Sequence, residues 1–328
     1  MSPRSPLVSV IIPFLDPPES MFREAINSVL AQTYRPAELI LVDDGSDPAL
    51  RIKLASAYTF PDLPIRWIQH DSGANEGISA SRNLGISVSN GEYLTFIDAD
   101  DVWLPNKLTR QVALLDTNPD VALLFGQTLY WNSDVESGAD SLLNFIPWHG
   151  DSKLTKYAAP EYLLRILRGR AIVPSISNVI LRRATFERSG GFEDEFRGPY
   201  EDQVLIAKIC LRECVCAVPE CWDKYRQHGA SLTASVDLAG MVLARRRFLL
   251  WLESYCRAKQ ISDADVWEAL AKNVWMNLAD CRQATMPGFP TLRWLRKWKF
   301  RLEEAFLPAT IRQRRWNKNR VGRLRSLD

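Results

Sequence analysis

Residues Leu7 to Pro13 form a nearly continuous apolar run, LVSVIIP, that is rich in β-branched side chains. Such a run predicts a central parallel strand, because a strand buried on both faces lacks the polar alternation of a half-exposed one. A sheet built on strands of this kind is covered by helices in a layered α/β domain. The run therefore favours an α/β fold.

The residues after this run continue the alternation of strands and helices. Between Glu19 and Gln32, apolar side chains recur at helical spacing, and Glu38 to Val42 reads as a second short strand. Strand, helix and strand in this order predict a right-handed βαβ unit. Further strands are predicted at 65–68, 93–97 and 121–126, with helices at 50–58, 79–89 and 104–116.

The pattern is weaker in the second half of the chain, where no element is predicted between Gln127 and about Val173. Beyond this gap we predict a strand at 177–181, helices at 184–189 and 203–212, an edge strand at 214–218 and a loop at 225–233. After about Ala234 the pattern is helical throughout, with helices at 241–255, 263–282 and 293–306.

No run in the 328 residues approaches the length of a membrane-spanning helix, and Met1 to Pro6 lacks the apolar core of a signal peptide. We therefore expect a cytoplasmic protein. None of the 6 cysteines lies in a CxxC pair, which favours thiols in the core over a disulfide framework or a zinc site.

Charge is unevenly distributed along the chain. The whole sequence carries a net charge of +2, but residues 291–328 contain 12 Lys or Arg and 3 acidic residues, so the rest is acidic. Trp294, Trp298 and Trp316 are interleaved with these cations. Such a stretch is typical of a helix that lies on an anionic membrane surface. Packing of the tryptophans against the rest of the chain is the alternative, and no nucleic-acid motif accompanies the basic residues.

Three carboxylates, Asp98, Asp100 and Asp101, follow the predicted strand that begins after Gly91. Open α/β sheets bind ligands outside the carboxyl ends of their strands. Clustered carboxylates repel one another, and a hard cation such as Mg²⁺ or Mn²⁺ would relieve that cost. A solvated loop that caps the next helix explains the same residues, so the cluster by itself leaves both interpretations open.

An ordered set of short motifs resembles the family 2 glycosyltransferases over roughly the first 235 residues. The resemblance implies a GT-A fold, a Rossmann-like fold of nucleotide-diphospho-sugar transferases, for residues 1–235. Residues 236–328 would then be a helical, basic C-terminal extension. The motifs are VSVIIP at 8–13, VDDGS at 42–46, SRNLGI at 81–86, GEYLTFIDADD at 91–101, GGF at 190–192, ED at 201–202 and YRQH at 225–228.

The resemblance implies that Asp98-Ala99-Asp100 is the DxD motif of the family. Asp100 would then bind Mn²⁺ or Mg²⁺ bridging the two phosphates of the donor, and Asp98 would lie near the ribose and the metal. His228 would contact the metal or the pyrophosphate, and Arg226 would contact phosphate. We expect Asp101 to cap the helix that follows.

The resemblance also implies a nucleoside site. Asp44 would accept a hydrogen bond from the uracil N–H, and Asp43 would either contact the ribose or hold the loop. Pro13 and Phe14 begin a loop that cradles the nucleoside partly through its backbone, although the family's usual Tyr-Asn is absent after the proline. Arg82 would either neutralise phosphate or hold the carboxylate loops through a structural ion pair.

Asp202 is the candidate general base, which would take the proton from the acceptor hydroxyl as that oxygen attacks the anomeric carbon. This role implies direct displacement with inversion and no covalent intermediate. Glu201 would hydrogen-bond the acceptor or orient the loop. Paired acids before a helix are also ordinary partners of the helix dipole.

The expected function is that of a metal-dependent, inverting glycosyltransferase of the hexosyltransferase class. It would move a sugar from a nucleotide-sugar, expected to be UDP-linked, to a hydroxyl of a glycan or lipid-linked acceptor in surface polysaccharide or lipopolysaccharide assembly. A nucleotidyltransferase is an alternative, but the glycine-rich, lysine-bearing phosphate loop it needs is absent near the first strand. The second alternative is a catalytically silent scaffold that binds nucleotide-sugars.

Overall fold

The computed structural model describes residues 5–57, 63–132, 144–147, 153–229 and 231–284. The strands are β1 (Val8–Phe14), β2 (Ala37–Asp43), β3 (Ile65–Gln69), β4 (Tyr93–Phe96), β5 (Val102–Trp103), β6 (Val121–Trp131), β7 (Thr155–Tyr157), β8 (Ile180–Arg182) and β9 (Cys214–Arg226). The helices are α1 (Glu19–Leu30), α2 (Pro48–Ala57), α3 (Ile78–Ser87), α4 (Lys107–Thr117), α5 (Glu161–Leu167), α6 (Arg183–Ser189), α7 (Glu201–Cys210), α8 (Leu232–Ser235), α9 (Leu238–Ala258) and α10 (Ala264–Ala284).

The strands form one mixed sheet in the order β3-β2-β1-β4-β8-β6-β9-β5, and β7 pairs with β9. β1 pairs in parallel with both β2 and β4, so Ile11 lies between Ile40 and Phe96. Every residue of β1 is buried, which confirms the predicted central parallel strand. Because β1, β2 and β4 run in the same direction, their carboxyl ends meet at one edge of the sheet.

Two apolar layers cover the two faces of the sheet. Successive side chains of a strand point to opposite faces, so Ile11 enters one core cluster while Val10 and Ile12 enter the other. Helices α1 and α4 contribute to the cluster around Ile12, and α3, α5, α7, α9 and α10 contribute to the cluster around Ile11. Full burial of each large apolar side chain stabilises the fold by roughly 1.5–3 kcal/mol.

Three predicted elements differ clearly from the structure. The strand predicted at 177–181 is shorter and shifted, since β8 spans Ile180–Arg182. Helix α4 begins at Lys107, with Asn106 as its N-cap, so Pro105 precedes the helix and does not lie in its first turn. The prediction of a short edge strand at 214–218 is wrong, because β9 continues to Arg226 and has β6 on one side and β5 and β7 on the other.

Cys210 and Cys216 lie in the core as predicted, and burial raises the pKa of each thiol to about 12.

The two long C-terminal helices pack against each other and onto the α/β layer. Asn277 of α10 donates to the carbonyl oxygen of Val242 in α9, and Asn273 donates to the carbonyl oxygen of Leu167 in α5. Among the described helices, none combines the length and the apolar composition that a bilayer crossing requires. The predicted helix at 293–306 and the basic stretch 291–328 lie outside the described residues.

Candidate active site

The acidic loop after β4 comprises Asp98 to Asp101. The carboxylate of Asp101, at the end of this loop, is fully buried. Its Oδ2 accepts a hydrogen bond from Ser177 Oγ (2.6 Å), and its Oδ1 accepts one from the backbone N–H of Arg226 (2.9 Å). Burial, followed by the charges of Asp100 and Asp98, raises the pKa of Asp101 well above its usual range. The expectation that Asp101 caps α4 is therefore wrong, because the carboxylate instead fastens the acidic loop to β9 and to Ser177.

Arg82 of α3 is fully buried between two carboxylates that come from different elements. Its Nη2 donates to Asp98 Oδ1 (2.7 Å), and its Nη1 donates to Glu201 Oε1 (3.0 Å). Burial disfavours the cation, but the charges of Asp98 and Glu201 outweigh that effect and raise the pKa of Arg82. Of the two roles left open for Arg82, the structure shows the structural ion pair, which ties the acidic loop to α7.

Asp202 lies in the first turn of α7, next to Glu201. Its Oδ1 accepts a hydrogen bond from the backbone N–H of Gln203 (2.7 Å). Burial, followed by the charge of Glu201, raises the pKa of Asp202 to about 8, and the positive charge of Arg82 opposes this shift. A carboxyl group with such a pKa can exchange a proton close to neutral pH, which is the property that a general base needs.

Asp100 and His228 meet where the acidic loop passes the end of β9. His228 Nε2 lies 2.8 Å from Asp100 Oδ2. The neighbouring Arg226 donates from Nε to the backbone carbonyl of Asp100 (2.7 Å) and from Nη2 to Glu24 Oε2 (2.5 Å). Its guanidinium also lies over the ring of Trp131, 4.3 Å from the centroid. These three groups already engage the side chain of Arg226. The phosphate contact expected of Arg226 stays a prediction.

The sequence predicts a hard cation at the pair formed by Asp100 and His228. The 2.8 Å between their two atoms is the distance of a direct hydrogen bond, and the carboxylate is the member of the pair whose ligand type suits Mg²⁺ and Mn²⁺. Within the described residues, no group of three or more His, Cys, Asp or Glu could hold a metal ion. A Mg²⁺ or Mn²⁺ ion at this pair stays a prediction, in which substrate phosphates would supply further ligands, as is usual for Mg²⁺.

Asp43 is the last residue of β2 and Asp44 follows it, and both are buried. Asp43 Oδ1 accepts hydrogen bonds from the backbone N–H groups of Gly45 (3.2 Å) and Ser46 (2.8 Å), so this side chain holds the turn. Asp44 Oδ1 accepts from the backbone N–H groups of Glu76 (2.8 Å) and Gly77 (3.0 Å). The ribose contact of Asp43 and the uracil contact of Asp44 stay predictions.

Phe14 lies at the end of β1, one residue after Pro13, and both residues are buried. The Phe14 ring packs against Phe22, with centroids 4.9 Å apart, and edge-on against Trp67 at 5.8 Å. Its carbonyl oxygen accepts a hydrogen bond from the backbone N–H of Asp44 (2.8 Å). The Phe14 side chain thus belongs to the core, and the predicted cradle at Pro13 and Phe14 stays a prediction that concerns the backbone.

Two polar residues of the site were missed by the sequence reasoning. His70 is buried directly after β3, with Nε2 2.8 Å from Ser81 Oγ and 3.6 Å from Asp44 Oδ1. Ser177 accepts a hydrogen bond from the backbone N–H of Asp98 (3.1 Å) while it donates to Asp101. The position of His70 after a parallel strand was a usable signal, whereas no motif marks Ser177.

Residues 9–163 match the family described as Glycosyl transferase family 2. The matched segment contains Asp43, Asp44, Arg82 and the Asp98-Ala99-Asp100 motif. Residues 9–163 belong to a glycosyl transferase family 2 domain. The predicted family is thereby confirmed for this domain, and the roles predicted for its residues stay predictions.

Several proteins resemble the chain in sequence. An uncharacterized glycosyltransferase of Methanocaldococcus jannaschii is 31% identical over 159 residues, which are 48% of this chain and 53% of that protein. The UDP-Glc:alpha-D-GlcNAc-diphosphoundecaprenol beta-1,3-glucosyltransferase WfgD of Escherichia coli is 32% identical over 120 residues, which are 37% of this chain and 45% of WfgD. In both cases the chain spans about half the length of the relative.

The solved structures of S. aureus TarS share the fold of the chain. The structure of TarS 1-349 in complex with UDP-GlcNAc has a TM-score of 0.58 and 16% sequence identity, over 91% of this chain and 78% of that one. At this identity the likeness concerns the fold alone. The mixed α/β sheet resembles the GT-A fold of TarS and carries additional C-terminal helices, which confirms the predicted fold class.

Proposed function

We propose that this protein is a metal-dependent, inverting glycosyltransferase that moves a sugar from a UDP-sugar to an acceptor hydroxyl. The observation that carries the proposal is the arrangement around Arg82. This buried cation joins Asp98 of the family 2 domain to Glu201, beside which Asp202 lies with a raised pKa. A candidate donor-binding loop and a candidate base are thus connected through one side chain.

Asp202 is the proposed general base of the transfer. It accepts the proton of the acceptor hydroxyl as that oxygen attacks the anomeric carbon from the face opposite the leaving diphosphate. Direct displacement inverts the anomeric configuration and needs no covalent enzyme intermediate. Glu201 is occupied by Arg82 at 3.0 Å, so its proposed role is to orient the start of α7 and not to exchange protons.

Asp100 and His228 are the proposed protein ligands of a bound Mn²⁺ or Mg²⁺ ion. When bound, the ion would neutralise charge that develops on the leaving diphosphate. Asp98 would position the donor beside it, held in place by Arg82 at 2.7 Å. The approach of His228 Nε2 to within 2.8 Å of Asp100 Oδ2 supports this part of the proposal, because it brings the two predicted ligands together.

A UDP-linked donor is the proposed substrate. TarS, whose fold the chain shares, has been solved in complex with UDP and with UDP-GlcNAc. In this chain Asp44 is the proposed acceptor of the uracil N–H. Its buried carboxylate lies at the carboxyl end of β2, where the backbone N–H groups of Glu76 and Gly77 donate to it and hold it in place. The backbone at Pro13 and Phe14, together with the loop that Asp43 holds, would form the rest of the nucleoside site.

A lipid-linked or glycan hydroxyl is the proposed acceptor, in the assembly of a surface polysaccharide or lipopolysaccharide. The name of WfgD, a relative over 37% of this chain, specifies a diphosphoundecaprenol-linked acceptor. Such an acceptor lies at a membrane. The basic, tryptophan-containing stretch 291–328 is the proposed contact with an anionic membrane, which would make the protein peripheral on the inner face of the cell membrane.

A panel of nucleotide-sugars tests the proposed function. Release of the free nucleotide is measured for each sugar with Mn²⁺, with Mg²⁺ and with excess chelator. We expect turnover of at least one UDP-sugar that depends on the divalent cation, and faster turnover when a lipid-linked acceptor is supplied. Tight binding of a UDP-sugar without any turnover would favour a silent scaffold instead, and release of pyrophosphate would favour a nucleotidyltransferase.

A further inference from the structure

Tyr200 directly precedes Glu201 and has a left-handed backbone conformation, with φ 79° and ψ 4°. Residues with a side chain rarely adopt this conformation, because Cβ then approaches the following carbonyl oxygen. The Tyr200 carbonyl accepts the hydrogen bond from Val204 N–H (3.2 Å), so its orientation determines how α7 begins. No side chain at the N-cap stabilises this start. The conformation of Tyr200 must therefore be held from outside α7.

The ring of Tyr200 stacks on Phe248 of α9, with the ring centroids 5.4 Å apart and the planes at 23°. Phe248 stacks in turn on Trp251 at 6.3 Å and 24°, and Trp251 stacks on Tyr255 at 5.1 Å and 26°. The spacing of these three residues places them on one face of α9. An aromatic ladder along α9 thus ends on Tyr200, two residues before the candidate base Asp202.

Helix α9 also holds the loop that leads into Tyr200. Arg247 Nη2 donates to the carbonyl oxygen of Glu195 (2.6 Å), and Phe196 meets Trp251 edge-on, with centroids 5.9 Å apart. The helix is itself held by α10, since Arg245 of α9 donates to Asn273 of α10 (2.8 Å). Three contacts from a supported helix therefore determine the path of the chain into α7.

We propose that Phe248 is a positioning residue for Asp202, which it orients by holding Tyr200 in the left-handed conformation. The proposal rests on the proposed function, in which Asp202 is the general base. It assigns to α9, outside the matched residues 9–163, a part in the reaction. Without the stack, Tyr200 relaxes to an ordinary backbone conformation, and the first turn of α7 moves together with Asp202.

Steady-state kinetics of three variants test this role. Phe248→Leu removes the stack but keeps an apolar side chain, Phe248→Tyr keeps the stack, and Leu249→Val shortens a neighbouring buried side chain that takes no part in the ladder. We expect Phe248→Leu to lower kcat by about 10- to 100-fold with the donor KM changed by less than about twofold, because small misplacements of a catalytic group cost this much. Phe248→Tyr should restore kcat, and Leu249→Val should leave it near the wild-type value.

Hydrogen–deuterium exchange of the same variants gives a readout that does not need turnover. In Phe248→Leu, the backbone amides of residues 201–206 should exchange about tenfold faster than in the wild type, whereas in Leu249→Val they should not. Equal effects of Phe248→Leu and Leu249→Val on kcat and on this exchange would overturn the positioning role. Absence of wild-type turnover on every nucleotide-sugar would instead contradict the proposed function, while the exchange result still decides whether Phe248 holds the start of α7.

Discussion

Asp202 combines two properties that seldom occur together on one aspartate. Its pKa is raised to about 8, and it stands beside a buried ion pair that joins two elements of the site. Both properties follow from burial, because a carboxyl group away from water favours its neutral form and a buried Arg82 requires carboxylate partners. The chemistry of this residue is therefore set by its burial and by the neighbouring charges of Glu201 and Arg82.

Replacement of Asp202 by Asn tests the base directly. We expect Asp202→Asn to lower transfer by about 10²- to 10⁴-fold, the usual contribution of general base catalysis, with UDP affinity changed by less than about twofold. In the wild type, kcat should rise with pH towards about 8 and then level off, because only the ionised carboxylate accepts a proton.

Asp120→Asn is the matched control, since Asp120 is an exposed carboxylate that pairs with Lys156 and precedes β6. It should leave both transfer and UDP binding near the wild-type values. Wild-type turnover in Asp202→Asn would exclude this residue as the base.

Asp100 supports a different expectation, because the residue is paired with His228 and not with Arg82. We expect Asp100→Ala to weaken Mn²⁺-dependent UDP binding by about 10- to 100-fold, as loss of a metal ligand or its close partner usually does. Titration calorimetry with and without a chelator separates the metal-dependent part. Unchanged affinity in the presence of Mn²⁺ would remove Asp100 from the proposed metal site.

At the same scale, the sequence motifs contain the acids and their partners Arg82 and His228, but they do not contain Ser177. Asp98, Asp100 and Asp202 stand in short motifs, so a local pattern was enough to find them. The hydrogen bonds of Ser177 to Asp98 and Asp101 connect residues 79 and 76 positions apart in the chain. Contacts at such separations depend on the packing of the sheet, and a local pattern carries no trace of them.

At the scale of elements, Arg82 is the joint between α3, the acidic loop and α7. Because the guanidinium is fully buried, its removal leaves two carboxylates without their cation. We expect Arg82→Met to lower the free energy of unfolding by about 3–5 kcal/mol, the usual cost of breaking a buried ion pair by deleting one partner. Urea unfolding followed by circular dichroism measures this change.

Arg23→Met provides the control, since Arg23 of α1 forms an exposed ion pair with Glu19 at 3.0 Å. An exposed pair of this kind contributes about 0–1 kcal/mol, so the two variants should differ clearly. If Arg82→Met cost no more than Arg23→Met, the structural role of Arg82 would be contradicted.

The elements themselves were predictable to different degrees. Strands β1 and β2 were found because a strand buried on both faces is mostly apolar, and every residue of both strands is buried. β9 was cut short at Val218 because its second half is polar. Its pairing with β5 and β6 compensates for that polarity, but both pairings link distant parts of the chain.

At the scale of the whole molecule, the alternating α/β layer followed from the sequence, whereas the route of the chain between 127 and 173 did not. Part of that stretch extends β6, and another part forms β7 and α5. The C-terminal helices were also expected, but their contacts with the loop before α7 were not. These features depend on which surfaces are left to cover once the sheet has formed.

Four acids with raised pKa values make the stability of the whole molecule depend on pH. Burial raises the pKa values of Asp98 and Asp101, that of Asp202 to about 8 and that of Asp223 to about 6, so the folded state binds protons that the unfolded state has released. The free energy of unfolding should therefore fall as the pH rises from about 4 towards 8. Burial lowers the pKa of Lys107 to about 7. Above that pH the unfolded chain still holds the proton that the folded Lys107 has released, so this residue makes the free energy of unfolding rise with pH.

Comparison of the wild type with Asp202→Asn isolates one of these groups, because Asn does not titrate. Each unit of pKa difference contributes about 1.4 kcal/mol, so the stability of the wild type relative to Asp202→Asn should fall by at least that much between pH 5 and pH 8. Urea unfolding of both proteins at a series of pH values measures this difference. Parallel stability curves would mean that Asp202 titrates alike in the folded and unfolded states, and the site would then lack the desolvated carboxyl group on which the proposed base depends.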